Sequence, residues 1–255
     1  MAGDAMVEVS GLTVRLGGRT VLDDVTWAVD GGVVVLVGAN GSGKTTLLSV
    51  LATLRTPRTG SVRLCGHDLR SRRGASAARA ALGYLPQEPG ALGHLTVAEA
   101  VEYAAWLKRV PARERPHRVT AALVDLDLVD RARDRLSRLS GGTRQRAYIA
   151  QAVVHRPDVL LLDEPSTAVD AEHRVELRRT LRRLAAGRLV VLSSHLTEDV
   201  ELLADRVCAL HDGSVAFEGT PAELVALGAV AAGDAGEDAE PARAIERGLR
   251  AVVRR

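Results

Sequence analysis

Three patterns in this 255-residue chain predict an α/β fold with a parallel core sheet, an antiparallel β subdomain and a helical subdomain. The runs Val33–Val37, Val159–Leu162 and Leu189–Leu192 are short and continuously apolar, as parallel strands covered on both faces are. Residues 6–30 instead alternate, with Val7, Val9, Leu12, Val14 and Leu16, then Val25, Trp27 and Val29, on one side. That period of two is the mark of half-buried strands. Between about 88 and 137, Val97, Val101, Ala104 and Ala105 recur near a 3.6 period, which reads as a helical insert broken by Pro111 and Pro116.

Further elements follow in order along the chain. Val62-Arg63-Leu64 reads as an additional strand, and His211-Asp212-Gly213 as a tight turn between the strands Val207–Leu210 and Ser214–Phe217. From Gly228 to Glu240 the composition shifts to Ala, Gly, Asp and Glu, the composition of a flexible linker. Residues 242–255 then form a short basic amphipathic helix. The expected organisation is one domain over 1–227, with a helical subdomain at about 88–150, followed by linker and tail helix over 228–255.

Composition narrows the function. Apolar residues make up 46% of the chain, enough for a globular core, and no apolar run approaches the ~18–20 residues of a membrane span. The N-terminus lacks a basic region followed by an apolar stretch, so a cytosolic protein is expected. Basic and acidic residues, 34 and 32, nearly cancel and are dispersed, which argues against a nucleic-acid partner. All but Lys44 and Lys108 of the basic residues are arginine, and runs such as Arg178-Arg179 and Arg182-Arg183 are expected on solvated helix faces. Cys65 and Cys208 have no metal-ligand spacing and read as buried, reduced thiols.

The chemistry centres on Gly38-Ala39-Asn40-Gly41-Ser42-Gly43-Lys44-Thr45, directly after the apolar run 33–37. A strand that ends in a glycine-rich turn and opens a helix aims several backbone N–H groups at one point, where the positive helix end also attracts an anion. Glycine supplies backbone angles closed to other residues and lets phosphates approach the amides. Lys44 is placed to reach the β- and γ-phosphates, and the Thr45 hydroxyl to ligate Mg²⁺. A second element, Asp158-Val159-Leu160-Leu161-Leu162-Asp163-Glu164-Pro165, delivers Asp163 to a strand end where its carboxylate can hold the Mg²⁺ shell. Glu164 is the candidate base or water-orienting group. At Leu139-Ser140-Gly141-Gly142 a serine N-cap precedes another helix, making a second anion site. Two such sites for one nucleotide suggest that two chains share each ATP.

These motifs, in this order, resemble the ATP-binding subunits of ABC transporters over about residues 6–223, as do Gln87 in Tyr84-Leu85-Pro86-Gln87, the segment Thr167–Asp170, and His195 in Ser193-Ser194-His195. The resemblance implies a P-loop ATPase fold. It places Gly38, Asn40, Gly41, Ser42, Gly43, Lys44, Thr45 and Thr46 on the nucleotide, with Ser140, Gly141 and Gly142 closing over the ATP of a partner protomer in a head-to-tail homodimer. It assigns Mg²⁺ to Thr45, Gln87 and Asp163, and turnover to Glu164, with Gln87 sensing the γ-phosphate and metal and His195 contacting the γ-phosphate and the attacking water. It implies a separate transmembrane permease at the inner face of the cell membrane, docked on the segment Glu88–Arg109. Within that segment Tyr103 and Trp106 are expected in the core, leaving Glu88–His94 exposed.

Flanking segments Leu51–Gly60, Gly66-His67-Asp68 and Thr197–Glu201 resemble the drug-resistance type of exporter ATPase, although importers share much of the pattern. A soluble ABC ATPase of translation, repair or iron–sulfur assembly is the alternative. The chain carries one cassette and neither a coiled-coil nor a cysteine-rich insert, which disfavours that class. Two departures stand out. Leu16 occupies the position where the family stacks adenine on an aromatic ring, and Thr143 replaces the glutamine common after the signature.

Overall fold

The computed structural model describes residues 5–90, 92–167, 169–232 and 241–253. The chain begins with two long strands, Val7–Leu16 (β1) and Arg19–Val29 (β2), joined through Gly17-Gly18. Both glycines have positive φ, 55° and 84°, the demand of a two-residue turn whose twist matches the strands. The alternating pattern seen in the sequence buries Val7, Val9, Leu12, Leu22, Val25, Trp27 and Val29. Strand β1 also pairs antiparallel with Ser61–Leu64 (β4), which in turn pairs with His67-Asp68 (β5), giving a four-stranded sheet ordered β2-β1-β4-β5.

The second sheet holds the functional loops. Its strands are Val33–Val37 (β3), Leu82–Leu85 (β6), Val159–Leu162 (β7), Leu189–Ser193 (β8), Arg206–His211 (β9) and Ser214–Gly219 (β10), in the order β10-β9-β3-β8-β7-β6. All neighbours are parallel except the β9/β10 hairpin, whose turn residues Asp212 and Gly213 have φ of 45° and 84°. Strand β3 shows why its sequence is apolar throughout. Val33, Val35 and Val37 join one core, whereas Val34 and Leu36 join the other. Each fully buried Val or Leu of this kind contributes about 1.5–3 kcal/mol.

Helices cover both faces. Lys44–Leu51 (α1) sends Leu47, Leu48 and Leu51 into the core shared with β1 and β2, and Arg72–Ala81 (α2), capped by Ser71, leads into β6. On the other face lie Val97–Leu107 (α3), Arg115–Asp125 (α4), Gly141–Val153 (α5), Ala171–Leu184 (α6) and Thr197–Leu203 (α7). A capping box fixes the start of α3: the Thr96 hydroxyl accepts from the Glu99 amide, and the Glu99 carboxylate accepts from the Thr96 amide. Pro111 separates α3 from α4. Pro116 does not break a helix, however; it sits in the first turn of α4, where its missing N–H leaves nothing unpaired.

Further expectations change at this level. Tyr103 and Trp106 are 42% and 54% exposed and stack with ring centroids 5.8 Å apart. The buried face of α3 is already filled by Val97, Ala100, Val101 and Ala105, so the two rings, three residues apart, share a solvent-facing side. Arg178 is not on a solvated face: it is 7% exposed and paired with Asp199 and Glu198. Part of the composition-based linker is helix, because Pro221–Ala232 (α8) carries the chain through residues 228–232; residues 233–240 lie outside the described residues. Pro241–Val253 (α9) follows and buries Ile245 and Val252 in the main core. Cys65 and Cys208 are both free thiols, but only Cys208 is buried as expected, with its pKa raised to about 12 by burial; Cys65 is half-buried.

Candidate nucleotide site

The carboxyl ends of β3, β6, β7 and β8 point to one side of the sheet, the place where open α/β sheets present ligand sites. Each end delivers one motif. Strand β3 runs into the glycine loop and α1, β6 leads to Gln87, β7 ends at Asp163-Glu164, and β8 ends at Ser193-Ser194-His195. A cleft of about 470 Å³ gathers Val21, Asn40, Gly41, Gly43, Lys44, Thr45, Thr46, Gln87, Glu164 and His195. Its size is that of a small-molecule site.

The loop geometry explains its glycines. Gly43 has φ 107°, and a Cβ there would meet Leu22 Cδ2 at 2.5 Å and the Val21 carbonyl at 3.0 Å. Gly38 has φ 148°, and its Cβ would collide with the Leu210 carbonyl and with Ser42 Oγ. Buried Lys44 bridges the loop, its Nζ donating to the carbonyls of Gly38 (2.8 Å) and Ala39 (3.1 Å). Burial lowers the Lys44 pKa, while the nearby Glu164 and Asp163 carboxylates pull it back up. The ammonium therefore faces two carboxylates across the cleft floor, a charge balance suited to a phosphate chain with a cation.

Asp163 is 1% exposed. Its Oδ1 accepts from Ser193 Oγ at 2.6 Å and from Thr45 Oγ1 at 3.3 Å, but Oδ2 is buried with no hydrogen-bond partner. A buried carboxylate oxygen without a partner is costly, and a cation beside Asp163 and Thr45 removes that cost. The donor set fits Mg²⁺, which prefers oxygen ligands shared with phosphate and water. Among the described residues no cluster of three His, Cys, Asp or Glu side chains could hold a metal unaided, so phosphate oxygens would have to complete such a shell.

Glu164 occupies the left-handed region at φ 51°, a conformation that a non-glycine residue keeps only when its surroundings enforce it. Three contacts do so. Its amide donates to Ser193 Oγ at 2.8 Å, its Oε2 accepts from Thr167 Oγ1 at 2.8 Å, and the same oxygen lies 3.2 Å from His195 Nδ1. One serine hydroxyl thus ties the two adjacent carboxylate residues to β8. Ser193 carries no local signal of this role, being only a serine at a strand end whose partner lies 30 residues away.

The signature residues stand elsewhere. Ser140 caps α5, accepting from the Thr143 amide at 3.3 Å and donating to Thr143 Oγ1 at 3.0 Å, so Thr143 completes the cap in place of glutamine. Gly142 packs on the first turn of α6, where a Cβ would meet His173 Cβ at 3.0 Å. Ser140, Gly141 and Gly142 do not line the cleft. Nor does Leu16, which is half-buried at the β1/β2 turn; Val21 of β2 is the aliphatic side chain on the cleft wall.

Known proteins share this arrangement. Residues 22–167 match the family described as ABC transporter. The Nod factor export ATP-binding protein I of Paraburkholderia xenovorans is 35% identical over 225 residues, 88% of this chain and 73% of that protein. The spermidine/putrescine import ATP-binding protein PotA of Haemophilus ducreyi is 34% identical over 222 residues, 86% of this chain and 59% of that protein. A solved dimeric, post-hydrolysis ATP-binding cassette with ADP and Pi superposes with a TM-score of 0.73 at 27% identity, covering 84% of this chain and 98% of that one. On this match the chain belongs to the ABC transporters as an ATP-binding subunit with ATPase activity.

Proposed function

We propose that this subunit works as a head-to-tail homodimer around two Mg·ATP and powers export through a separate membrane permease. The observation that carries the dimer is the separation within one chain. The glycine loop, Gln87, Glu164 and His195 meet at the cleft, whereas Ser140, the exposed N-cap of a 13-residue helix, and the Gly141-Gly142 that open it are not among the cleft's lining. A second copy would supply the missing anion site, and a cassette at 27% identity is dimeric in its solved form.

Within that assembly the glycine loop amides, Lys44 and Thr46 would bind the phosphates, and Thr45, Asp163 and Gln87 would hold Mg²⁺. The metal's contribution when bound is to neutralise charge on the β- and γ-phosphates. Glu164, fixed by Thr167 and the β8 serine, orients the attacking water and takes up its proton; His195, 3.2 Å from Glu164, holds the water side of the γ-phosphate. Positioning and charge stabilisation supply the catalysis.

The permease would dock in a second cleft of about 550 Å³ between the sheet and the helical subdomain, lined by Leu54, Tyr84, Pro89, Leu92, Leu107 and Lys108. Leu54 and Leu107 are 66% and 56% exposed, an apolar rim suited to an amphipathic helix. No helix among the described residues is long and apolar enough to cross a membrane. Export rather than import is supported by the drug-resistance resemblance and by the Nod factor relative, whose name says export. The test is copurification from membranes: a polytopic protein should be recovered with the wild-type subunit and lost in Leu92→Glu. Inside-out vesicles bearing the pair should accumulate the transported compound on addition of ATP. Recovery with ribosomes and no membrane protein sinks the transporter reading; accumulation only in right-side-out vesicles loaded with ATP makes it an importer.

A further inference from the structure

Behind His195 lies a buried polar chain that the chemistry above does not use. Ser194 is 3% exposed; its amide donates to the Leu36 carbonyl at 3.0 Å and its hydroxyl donates to Asp199 Oδ2 at 2.6 Å. The same hydroxyl accepts from the Leu196 amide at 3.0 Å. Asp199, fully buried on α7, accepts at Oδ1 from Arg178 Nε at 2.8 Å, and Arg178 on α6 donates through Nη2 to Glu198 at 2.9 Å. The residues on both sides of His195 are therefore pinned, while His195 itself remains about half exposed at the cleft.

We infer that Ser194, Asp199 and Arg178 are positioning residues that hold the His195 backbone so that its imidazole meets Glu164 and the γ-phosphate side of the cleft. Stability alone is a poor reason for such a chain, because a buried ion pair is often matched or bettered by apolar packing. A buried network gives a defined geometry instead. The two bonds to the Ser194 hydroxyl fix the turn from β8 into α7, and Arg178 ties that turn to α6. No local sequence pattern marks this chain, since its members lie on three separate elements.

The inference rests on the assignment of His195 to turnover, and the experiment separates the two. Single-turnover hydrolysis of radiolabelled ATP and ATP affinity are measured for Ser194→Ala, Asp199→Asn and His195→Ala, and for each of the first two combined with His195→Ala. In the wild-type background Ser194→Ala and Asp199→Asn should slow turnover about tenfold while ATP affinity stays within about twofold. In the His195→Ala background the same changes should slow it less than about twofold, because residues acting through one group are not additive. Equal fold losses in both backgrounds, or losses that appear in ATP affinity, overturn the positioning role while leaving His195 in place. Wild-type turnover in His195→Ala overturns both. Should Asp199→Asn not fold, Ser194→Ala, which keeps the Arg178–Asp199 pair, decides the matter alone.

Discussion

Replacing Ser193 by alanine tests the way the carboxylate pair is held. The side chain is fully buried at the end of β8 and makes two bonds with one oxygen, 2.6 Å to Asp163 Oδ1 and 2.8 Å from the Glu164 amide. A hydrogen bond to a charged group contributes about 1.5–3 kcal/mol and a neutral one about 0.5–1.5 kcal/mol, so their joint loss should cost about 2–4 kcal/mol. Thr45 Oγ1 at 3.3 Å then remains, among the described residues, the one side-chain donor to Asp163, whose other oxygen already lacks one. For a chain of this size 1 kcal/mol shifts Tm by about 2–4 °C, which predicts a fall of roughly 4–16 °C in the nucleotide-free protein. Differential scanning fluorimetry with and without Mg·ATP is the assay. Because a bound cation would take over the orphaned carboxylate, the gap between variant and wild type should narrow on adding Mg·ATP. A Ser193→Ala protein that melts within about 1 °C of wild type would show that Asp163 and Glu164 are held by other means.

Other perturbations address the remaining parts of the site. Glu164→Gln keeps the phosphate contacts but removes the carboxylate that faces His195 and Thr167; it should bind ATP, accumulate as dimer and turn over about 10³-fold more slowly, about 4 kcal/mol of barrier. Wild-type rates in a purified Glu164→Gln would take it out of the mechanism. Lys44→Ala should instead weaken ATP binding itself, and an unchanged calorimetric affinity would count against the phosphate-loop assignment. Since Val21 is the aliphatic residue on the cleft wall and no Phe, Tyr or Trp lines the cleft, ATP and GTP should compete with affinities within about tenfold of each other, the scale of one stacking contact of ~1 kcal/mol. Strong rejection of GTP in a competition assay would mean that another residue reads the base. His155, whose Nε2 lies 3.0 Å from the Leu82 carbonyl, is held to a pKa of about 4 by burial and by Lys108. Its neutral form is the folded one, so its contribution is complete above the usual histidine value and is lost as pH falls from about 6.5 towards 4, by up to about 3 kcal/mol. Urea midpoints of wild type and His155→Gln should converge across that window; parallel curves would refute it.

How much of this was legible beforehand depends on whether the signal is local. Strands β3, β7 and β8 announce themselves because a strand covered on both faces must be apolar at every position, and the loop 38–45 because no other residue tolerates φ 107° beside Leu22 at position 43. Strand β6 is harder to see: its Leu-Gly-Tyr-Leu has a glycine where a side chain is expected. The structure gives the reason, since a Cβ at Gly83 would strike the Ala152 carbonyl of α5. Glycine there is a packing requirement imposed from 69 residues away.

The same logic explains the misread arginine. Charge and neighbours place Arg178 beside Arg179 as one exposed pair, yet α6 also carries Leu177, Leu181 and Leu184 on its buried stripe, and residue 178 lies next to that stripe. Whether such a position faces water or core is decided by what the opposing element offers. Here α7 offers Asp199, fully buried and already bonded to Ser194, so an arginine is retained where an aliphatic residue would leave a carboxylate unpaired. The motif residues are written in the local sequence because phosphate chemistry fixes their type and spacing. The residues that aim them, Ser193 at Asp163 and Glu164 and the Ser194–Asp199–Arg178 chain behind His195, are fixed by pairings across the sheet and between helices. Such pairings acquire meaning only when strand order is known, because the β7/β8 register sets Leu162 beside Leu192 and so brings the two strand ends together.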